Sequence, residues 1–298
     1  MTHLSICYII HGIENFFGLH GTLRFGETAV TRKKAFTLIE LLVVISIIAL
    51  LLSILMPALG KAKKKAQNII CRSDLKQWGM AWMMYSQDYK NRFFRGMTGS
   101  GDTLDDWWLS KLWKYAPAEA MWFCPAANKY DPRSTRYIGS TFEAWGPFEF
   151  SENGNRTGKM AFSSYGVNLW VLNPTPETVN PYGYRRSNFW RRSDVSGADK
   201  IPLMLDAAFS GAYAANLSDP SNGGSLNRPL DKGAYNFSYS ATINTFCIDR
   251  HEGTTNSVFL DFSVRTIGLK ELWKQKWHRN YNISDYPQSW PEWMSRYK

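Results

Sequence analysis

From Leu41 to Leu59 the chain runs 19 residues without a charge, and counted back to Phe36 the apolar stretch is 24 residues long, interrupted only by Glu40. The hydrocarbon core of a bilayer takes roughly 20 helical residues. A backbone in lipid must satisfy its own hydrogen bonds, which one isolated segment does only as a helix. The segment therefore predicts a single transmembrane helix. A secretory signal is the first competitor, and Ala58-Leu59-Gly60 has the small residues of a signal-peptidase site. The apolar core of a signal is shorter, about 7–15 residues. An ordinary membrane anchor fits the length but leaves Glu40 unexplained. A carboxylate in lipid costs about 2.5–3.5 kcal/mol at mid-membrane and less near the edge. Its natural partner is a positive charge at the same depth. Cleavage between Ala35 and Phe36 would create one, the new α-amino group of Phe36, four residues from Glu40.

The run Lys33-Lys34-Ala35-Phe36-Thr37-Leu38-Ile39-Glu40, followed by an apolar helix, resembles the prepilin cleavage and methylation motif of type IV pilins and type II secretion pseudopilins. The resemblance implies that a prepilin peptidase cuts after Ala35 and methylates Phe36. It also implies that Glu40 pairs with the amino group of a neighbouring subunit during assembly. Glycine is usual where Ala35 stands. Pro57 falls where many pilins carry a proline that bends the helix, since proline removes one backbone bond and clashes with the preceding turn. The implied fold is α+β: a long N-terminal transmembrane helix packed on a C-terminal globular head with an antiparallel sheet and long loops. The implied place is the bacterial inner membrane, single pass, with the head extracytoplasmic or in a periplasmic or cell-surface filament. The implied partners are the peptidase, other pilin or pseudopilin subunits and the inner membrane.

Residues 1–35 read as a leader, or as a start assigned too early with Val30 as the true one. Residues 36–59 are the membrane helix and 60–90 its extracytoplasmic continuation. In that continuation Leu75, Trp78, Trp82, Tyr85 and Tyr89 recur every three or four residues and form one apolar stripe. Residues 91–298 are the head. Within it, Leu104–Tyr115 reads as a short amphipathic helix and Met121–Pro125 as a strand ending in a turn. Residues 126–160 read as loop-rich, 163–172 as strand, 173–200 as a long surface loop, 201–206 as a short apolar strand, and 216–237 as a Gly/Asn/Pro-rich loop. Residues 257–267 give the last strand region, and 269–278 a helix with Leu269, Leu272, Trp273 and Trp277 on one side.

The formal charge of +10 is gathered in short clusters such as Lys61–Lys65, Arg185–Arg192 and Lys270–Arg279. Such clusters suit nucleic acid or anionic lipid, and the blander reading is a solvated or membrane-flanking face. The 13 Trp, 15 Tyr and 17 Phe suit glycan or base stacking, or simply a core, where rings bury large areas. A pilin-anchored glycan- or DNA-binding protein is therefore the alternative to a structural subunit.

No CxxC pair exists, which speaks against zinc-ribbon and thioredoxin-like motifs. Cys71, Cys124 and Cys247 follow the cleavage point and permit one bridge at most, its pairing open in the sequence. In the head, Arg250-His251 and Asp261, with nine residues between the histidine and the aspartate, resemble the signature of a pilin-like subfamily of planctomycete type, with Phe262 where glycine is usual. Cys71 with Leu75-Lys76-Gln77, Phe123-Cys124-Pro125 and Ser164–Asn168 share that resemblance; Cys71 and Cys124 are the candidate pair for a disulfide. His251, Asp249, Asp206 and Asp261 all stand near strand ends and could converge as a hydrogen-bond network or on a divalent metal. Calcium is the metal that the pseudopilin resemblance suggests, because it takes oxygen ligands; otherwise no cofactor is expected. Without a GxSxG elbow, a hydrolase built on His251 and Asp261 ranks last, and no enzyme activity is expected.

Overall fold

The computed structural model describes residues 37–96, 107–116, 119–130, 138–152, 155–175, 185–214 and 242–297. The expected leader, the pair Ala35 and Phe36 and the expected loop 216–237 lie outside them. Helix α1, Leu38–Asp88, is continuous and contains Pro57. It opens on a capping box that the sequence spells as Thr37-Leu-Ile-Glu40. Glu40 N donates to Thr37 Oγ1 at 3.3 Å, and Thr37 N and Oγ1 each donate to Glu40 Oε2 at 2.8 Å. Two otherwise orphaned donors are satisfied reciprocally.

Two units are distinguished, Met1–Leu55 and Met56–Lys298. In the first, the described residues are helical from Leu38, and large apolar side chains such as Leu42, Ile48 and Leu52 are exposed. By length and composition this helix suffices to cross a membrane.

In the second unit, α1 buries one face: Cys71, Asp74, Leu75, Trp78, Gly79, Ala81, Trp82, Tyr85 and Ser86. The spacing is that of a helical stripe laid on a core. Tyr89, the last residue of the expected stripe, is exposed but stacks on Tyr85 with ring centroids 4.4 Å apart. The helix ends where Lys90 and Asn91 take positive φ, +53° and +61°, and Asn91 N donates back to Ser86 O at 2.7 Å. Left-handed residues that return a donor to the last turn are a common helix stop.

The core faces a five-stranded sheet in the order β5-β3-β4-β6-β7. Its strands are β3 (Tyr165–Asn168), β4 (Pro202–Asp206), β5 (Gly211–Ala212), β6 (Thr254–Phe259) and β7 (Val264–Gly268). All neighbours are antiparallel except β3 and β5, which pair in parallel, so the sheet is mixed. The central strand β4 is buried along its whole length, as its apolar run predicts. A separate hairpin joins β1 (Trp145–Glu152) to β2 (Asn155–Ser163).

Several expectations need correction. Residues 126–160 are not mainly loop, because β1 and the start of β2 lie there. Met121–Pro125 is not a strand: Glu119–Trp122 is a 3-10 turn. The last strand region is a hairpin, β6 and β7, turning at Asp261-Phe262. Phe262 sits at φ +63° and its N–H donates to Phe259 O at 2.8 Å. A left-handed turn position is where glycine carries no Cβ penalty, which is the physical sense of the glycine this chain lacks. Of the expected helix 104–115, the described part is α2 (Trp108–Leu112) followed by a 3-10 turn, Trp113–Tyr115, and the expected helix 269–278 is a 3-10 segment, Leu269–Lys274, although Leu269, Leu272, Trp273 and Trp277 are all buried as the spacing implied.

Aromatic residues build the core. Trp78, Trp82, Trp108, Trp145, Trp170, Trp273 and Trp277 are fully buried. Trp78 meets Trp108 edge-on at 5.5 Å between centroids, and Trp107, Trp145 and Phe148 continue the cluster. Among the described residues, most of the rings that might have stacked on a ligand are spent on packing.

Candidate functional site

Two places carry chemistry. The first is the N-terminus of α1. Glu40 lies in its first turn, and its carboxylate is held by Thr37 as described above. The charge that the sequence demanded a partner for thus has a local polar contact in Thr37.

The second place is buried in the head. Asp206 ends β4, Cys71 projects from the inner face of α1, Cys124 follows the Glu119–Trp122 turn, and His251 precedes β6. One ligand atom from each of these four buried residues lies within 4.8 Å of the other three. Cys71 Sγ donates to Asp206 Oδ1 at 3.3 Å. Cys124 Sγ is 3.4 Å from His251 Nε2, which is 3.4 Å from Asp206 Oδ2. Arg250 Nη1 reaches Asp206 Oδ1 at 3.3 Å, with neither side chain exposed.

A ring of donors orients these groups. Asn256 N donates to Asp206 Oδ2 at 3.0 Å, while its side-chain Nδ2 donates to Asn68 Oδ1 at 2.7 Å and to Cys71 Sγ at 3.4 Å. Tyr165 OH donates to Cys71 Sγ at 3.5 Å. Arg250 spends its remaining donors on backbone carbonyls: Thr141 O at 2.7 Å, Ser164 O at 2.8 Å, Ser140 O at 3.1 Å and Ala207 O at 3.3 Å.

Charge in so dry a place is governed by neighbours. Burial works against ionised Asp206, yet the adjoining His251 and Arg250 and the Asn256 N–H hold its carboxyl down at about 2. Burial also opposes a charged His251, but contact with Asp206 and Cys124 lifts it to about 10. The thiols part company. Burial, followed by Cys124 and the Asp206 charge, pushes Cys71 well up. Burial raises Cys124 too, but contacts with Cys71 and His251 and the charge of Arg250 bring it below the usual thiol range.

Of the four residues expected to converge, the structure joins His251 and Asp206 only. Asp261 is exposed at the β6–β7 turn, where it accepts from Ser263 N at 3.0 Å and Ser263 Oγ at 2.6 Å. Asp249 accepts from Gly253 N at 2.7 Å, Arg296 Nη2 at 2.9 Å and the Tyr297 hydroxyl. Cys71 and Cys124 do come together, as free thiols. Arg250 and Asn256 were missed. An arginine beside the histidine was the available signal, because a buried carboxylate at a strand end needs a cation.

Residues 30–56 match the prokaryotic N-terminal methylation motif. Over that segment the chain is similar to proteins that carry the prepilin-type motif. No curated protein and no solved structure matches it. The matched segment covers the basic run, Ala35, Phe36, Glu40 and most of the apolar half of α1. In a pilin-like chain that motif implies processing by a prepilin peptidase and assembly with other pilin subunits. With the long apolar helix it also implies membrane anchoring and a C-terminal head, and a structural subunit rather than an enzyme.

Proposed function

We propose that this chain is a subunit of a type IV pilus or type II secretion pseudopilus. In this reading it is cut between Ala35 and Phe36 and methylated on the new amino group. The first part of α1 then holds it in the inner membrane with the head outside. Glu40 is the assembly residue: in an apolar helix bundle its carboxylate draws in the Phe36 amine of a neighbouring subunit, because leaving either charge buried alone is costly. The carrying observation is the matched motif at residues 30–56, with Glu40 in the first turn of a helix otherwise apolar as far as Gly60.

The capping box gives Glu40 a competing, local role, and the two separate cleanly. Glutamine at the third helical position still closes a capping box but carries no charge. Glu40→Gln is expected to insert and be processed like the wild type yet to stay out of filaments, and Glu40→Ala to do the same. Pull-down of sheared filaments measures the first, and N-terminal sequencing with mass analysis of the membrane fraction measures the second. Normal incorporation of Glu40→Gln would reduce Glu40 to a helix cap. An unmethylated N-terminus, or one other than Phe36, would reject the processing.

A further inference from the structure

The sequence expectation for a metal rested on oxygen ligands and calcium, and the geometry does not support it. Calcium takes 6–8 oxygens, and the buried cluster offers a single carboxylate. Its other donors are two sulfurs and an imidazole nitrogen. Thiolate and imidazole together select zinc and its neighbours among the divalent ions.

We infer that Cys71, Cys124, Asp206 and His251 form a four-ligand site for a thiophilic divalent cation, zinc before the others. Zinc bonds run about 2.3 Å to sulfur and about 2.0–2.2 Å to nitrogen or oxygen, so a tetrahedral ligand set has edges of about 3.3–3.8 Å. Here one ligand atom from each residue lies within 4.8 Å of the others; Cys124 Sγ is 3.4 Å from His251 Nε2, and the two Asp206 oxygens reach Cys71 Sγ (Oδ1, 3.3 Å) and His251 Nε2 (Oδ2, 3.4 Å). The four ligands come from α1, from the segment after a 3-10 turn, from the end of β4 and from the loop before β6. Four separate elements delivering one donor each to one point is not a by-product of local sequence.

The surroundings fit a metal centre. Ligands in such sites are held by outer hydrogen bonds, and here Asn256 N fixes one Asp206 oxygen, Arg250 the other, and Tyr165 with Asn256 Nδ2 point at the Cys71 sulfur. The charges also close. Two thiolates and a carboxylate against one dication leave a single negative charge, and the fully buried guanidinium of Arg250 supplies the balancing positive one. His251 and Arg250 also line a pocket of 1070 Å³ together with Lys63, Glu252, Trp293 and Tyr297, which gives an ion a way in.

The rival use of the same sulfurs is a disulfide between Cys71 and Cys124. It would remove two electrons and two protons to an oxidising partner and draw the sulfurs to about 2.05 Å. The test therefore starts with full-length protein extracted in detergent from cells whose thiols are alkylated at lysis. Elemental analysis is expected to find a single equivalent of zinc per chain, with no peptide joining Cys71 to Cys124. Exchange to cobalt(II) should give the intense visible bands of tetrahedral cobalt and a near-ultraviolet sulfur-to-metal band. Cys124→Ser and His251→Ala should lose those signals, Cys247→Ser should keep them, and Asn256→Ala should weaken zinc binding by about 10–100-fold. Should the ligand variants fail to fold, the wild type still decides. Zinc must slow alkylation of Cys71 and Cys124 reversibly, with a chelator restoring the rate, and leave Cys247 unchanged. A Cys71–Cys124 disulfide in the isolated protein, or no tetrahedral cobalt spectrum from the reduced chain, overturns the site.

Discussion

Arg250 is the side chain whose loss the head should feel most. It is fully buried and makes five hydrogen bonds, four to carbonyls and one to Asp206. Those carbonyls belong to the 140–141 segment, to Ser164 just before β3 and to Ala207 just after β4, so one guanidinium fastens three stretches to the loop that carries His251. Methionine keeps the unbranched stem but is two atoms shorter and donates nothing. Removing one partner of a buried ion pair costs about 3–5 kcal/mol. Each carbonyl left dry adds to that, but some will find water, so about 4–5 kcal/mol is the working figure. A domain of this kind has about 5–15 kcal/mol in all, so Arg250→Met should remove from about a quarter to nearly all of its stability. The assay is urea unfolding of the full-length chain in mild detergent, followed by tryptophan fluorescence in reductant and chelator so that metal plays no part. Arg250→Lys keeps the charge but not the fork and should lose about half as much. In the double variant Arg250→Met, Asp206→Leu neither charge is left alone, and it should be more stable than the two single losses predict by at least about 2 kcal/mol. A loss under about 1 kcal/mol for Arg250→Met, or additive single variants, would refute the reasoning.

Two further outcomes follow from other parts of the head. A Cβ on Gly166 in β3 would lie 2.3 Å from Phe209 O and 2.8 Å from the Ala207 Cβ. Gly166→Ala should therefore cost at least about 2 kcal/mol in the same unfolding assay, and a neutral result would mean that β5 can move away freely. Asp74, nearly buried on α1, has its carboxyl raised to about 6, first by burial and then by the neighbouring Cys124 sulfur. The folded state then holds a proton more tightly than the unfolded one, so this group makes stability fall as pH rises from about 4 to about 6 and leaves it level outside that window. Asp74→Asn should flatten that slope and add about 1 kcal/mol at pH 7, after allowing for the solvent its carboxylate still meets. An unchanged pH profile would show that Asp74 ionises freely in the fold.

The parts legible in the sequence are those where one element decides for itself. A charge-free run and a three-four stripe specified α1, and an apolar run specified β4. The β1–β2 hairpin was illegible because Gly146, Pro147, Asn153 and Gly154 punctuate it like loop, while its pairing partner supplies what the local sequence lacks. Met121–Cys124 misled in the opposite direction, since a short apolar run fits strand and buried turn equally. In the structure Trp122 O accepts from Ser163 Oγ and Ser164 N, and Met121 O from Trp78 Nε1, all partners remote in sequence. The same limit governed the site. His251 and Asp206 were visible as residue types, but which carboxylates meet the histidine depends on strand register. Asp261, ten residues on along one hairpin, is carried out to the turn, whereas Asp206 lies on the adjacent strand and is carried in.

That register explains why the buried cluster stands where it does. Along its head-facing stretch α1 is fastened by single bonds to distant elements: Gln67 to Pro125 O at 3.2 Å, Asn68 to Asn256, Cys71 to Asp206, Trp78 to Met121 O at 2.9 Å, and Ser86 to Ser193 at 2.6 Å. Each such bond is worth about 1 kcal/mol net. Pulled from its Met56 end, a helix held this way would peel bond by bond, starting at the exposed Lys64–Glu252 ion pair (3.2 Å) and going on to Gln67 and Asn68. Cys71 is the next point of attachment, and it lies within the four-ligand set. A structural zinc contributes on the order of 10 kcal/mol, so a cation there turns one of the first fastenings to be loaded into the strongest. In a filament subunit, whose helix bears the tension and whose head must stay attached to it, that is the position at which a strong attachment shields all the weaker ones behind it.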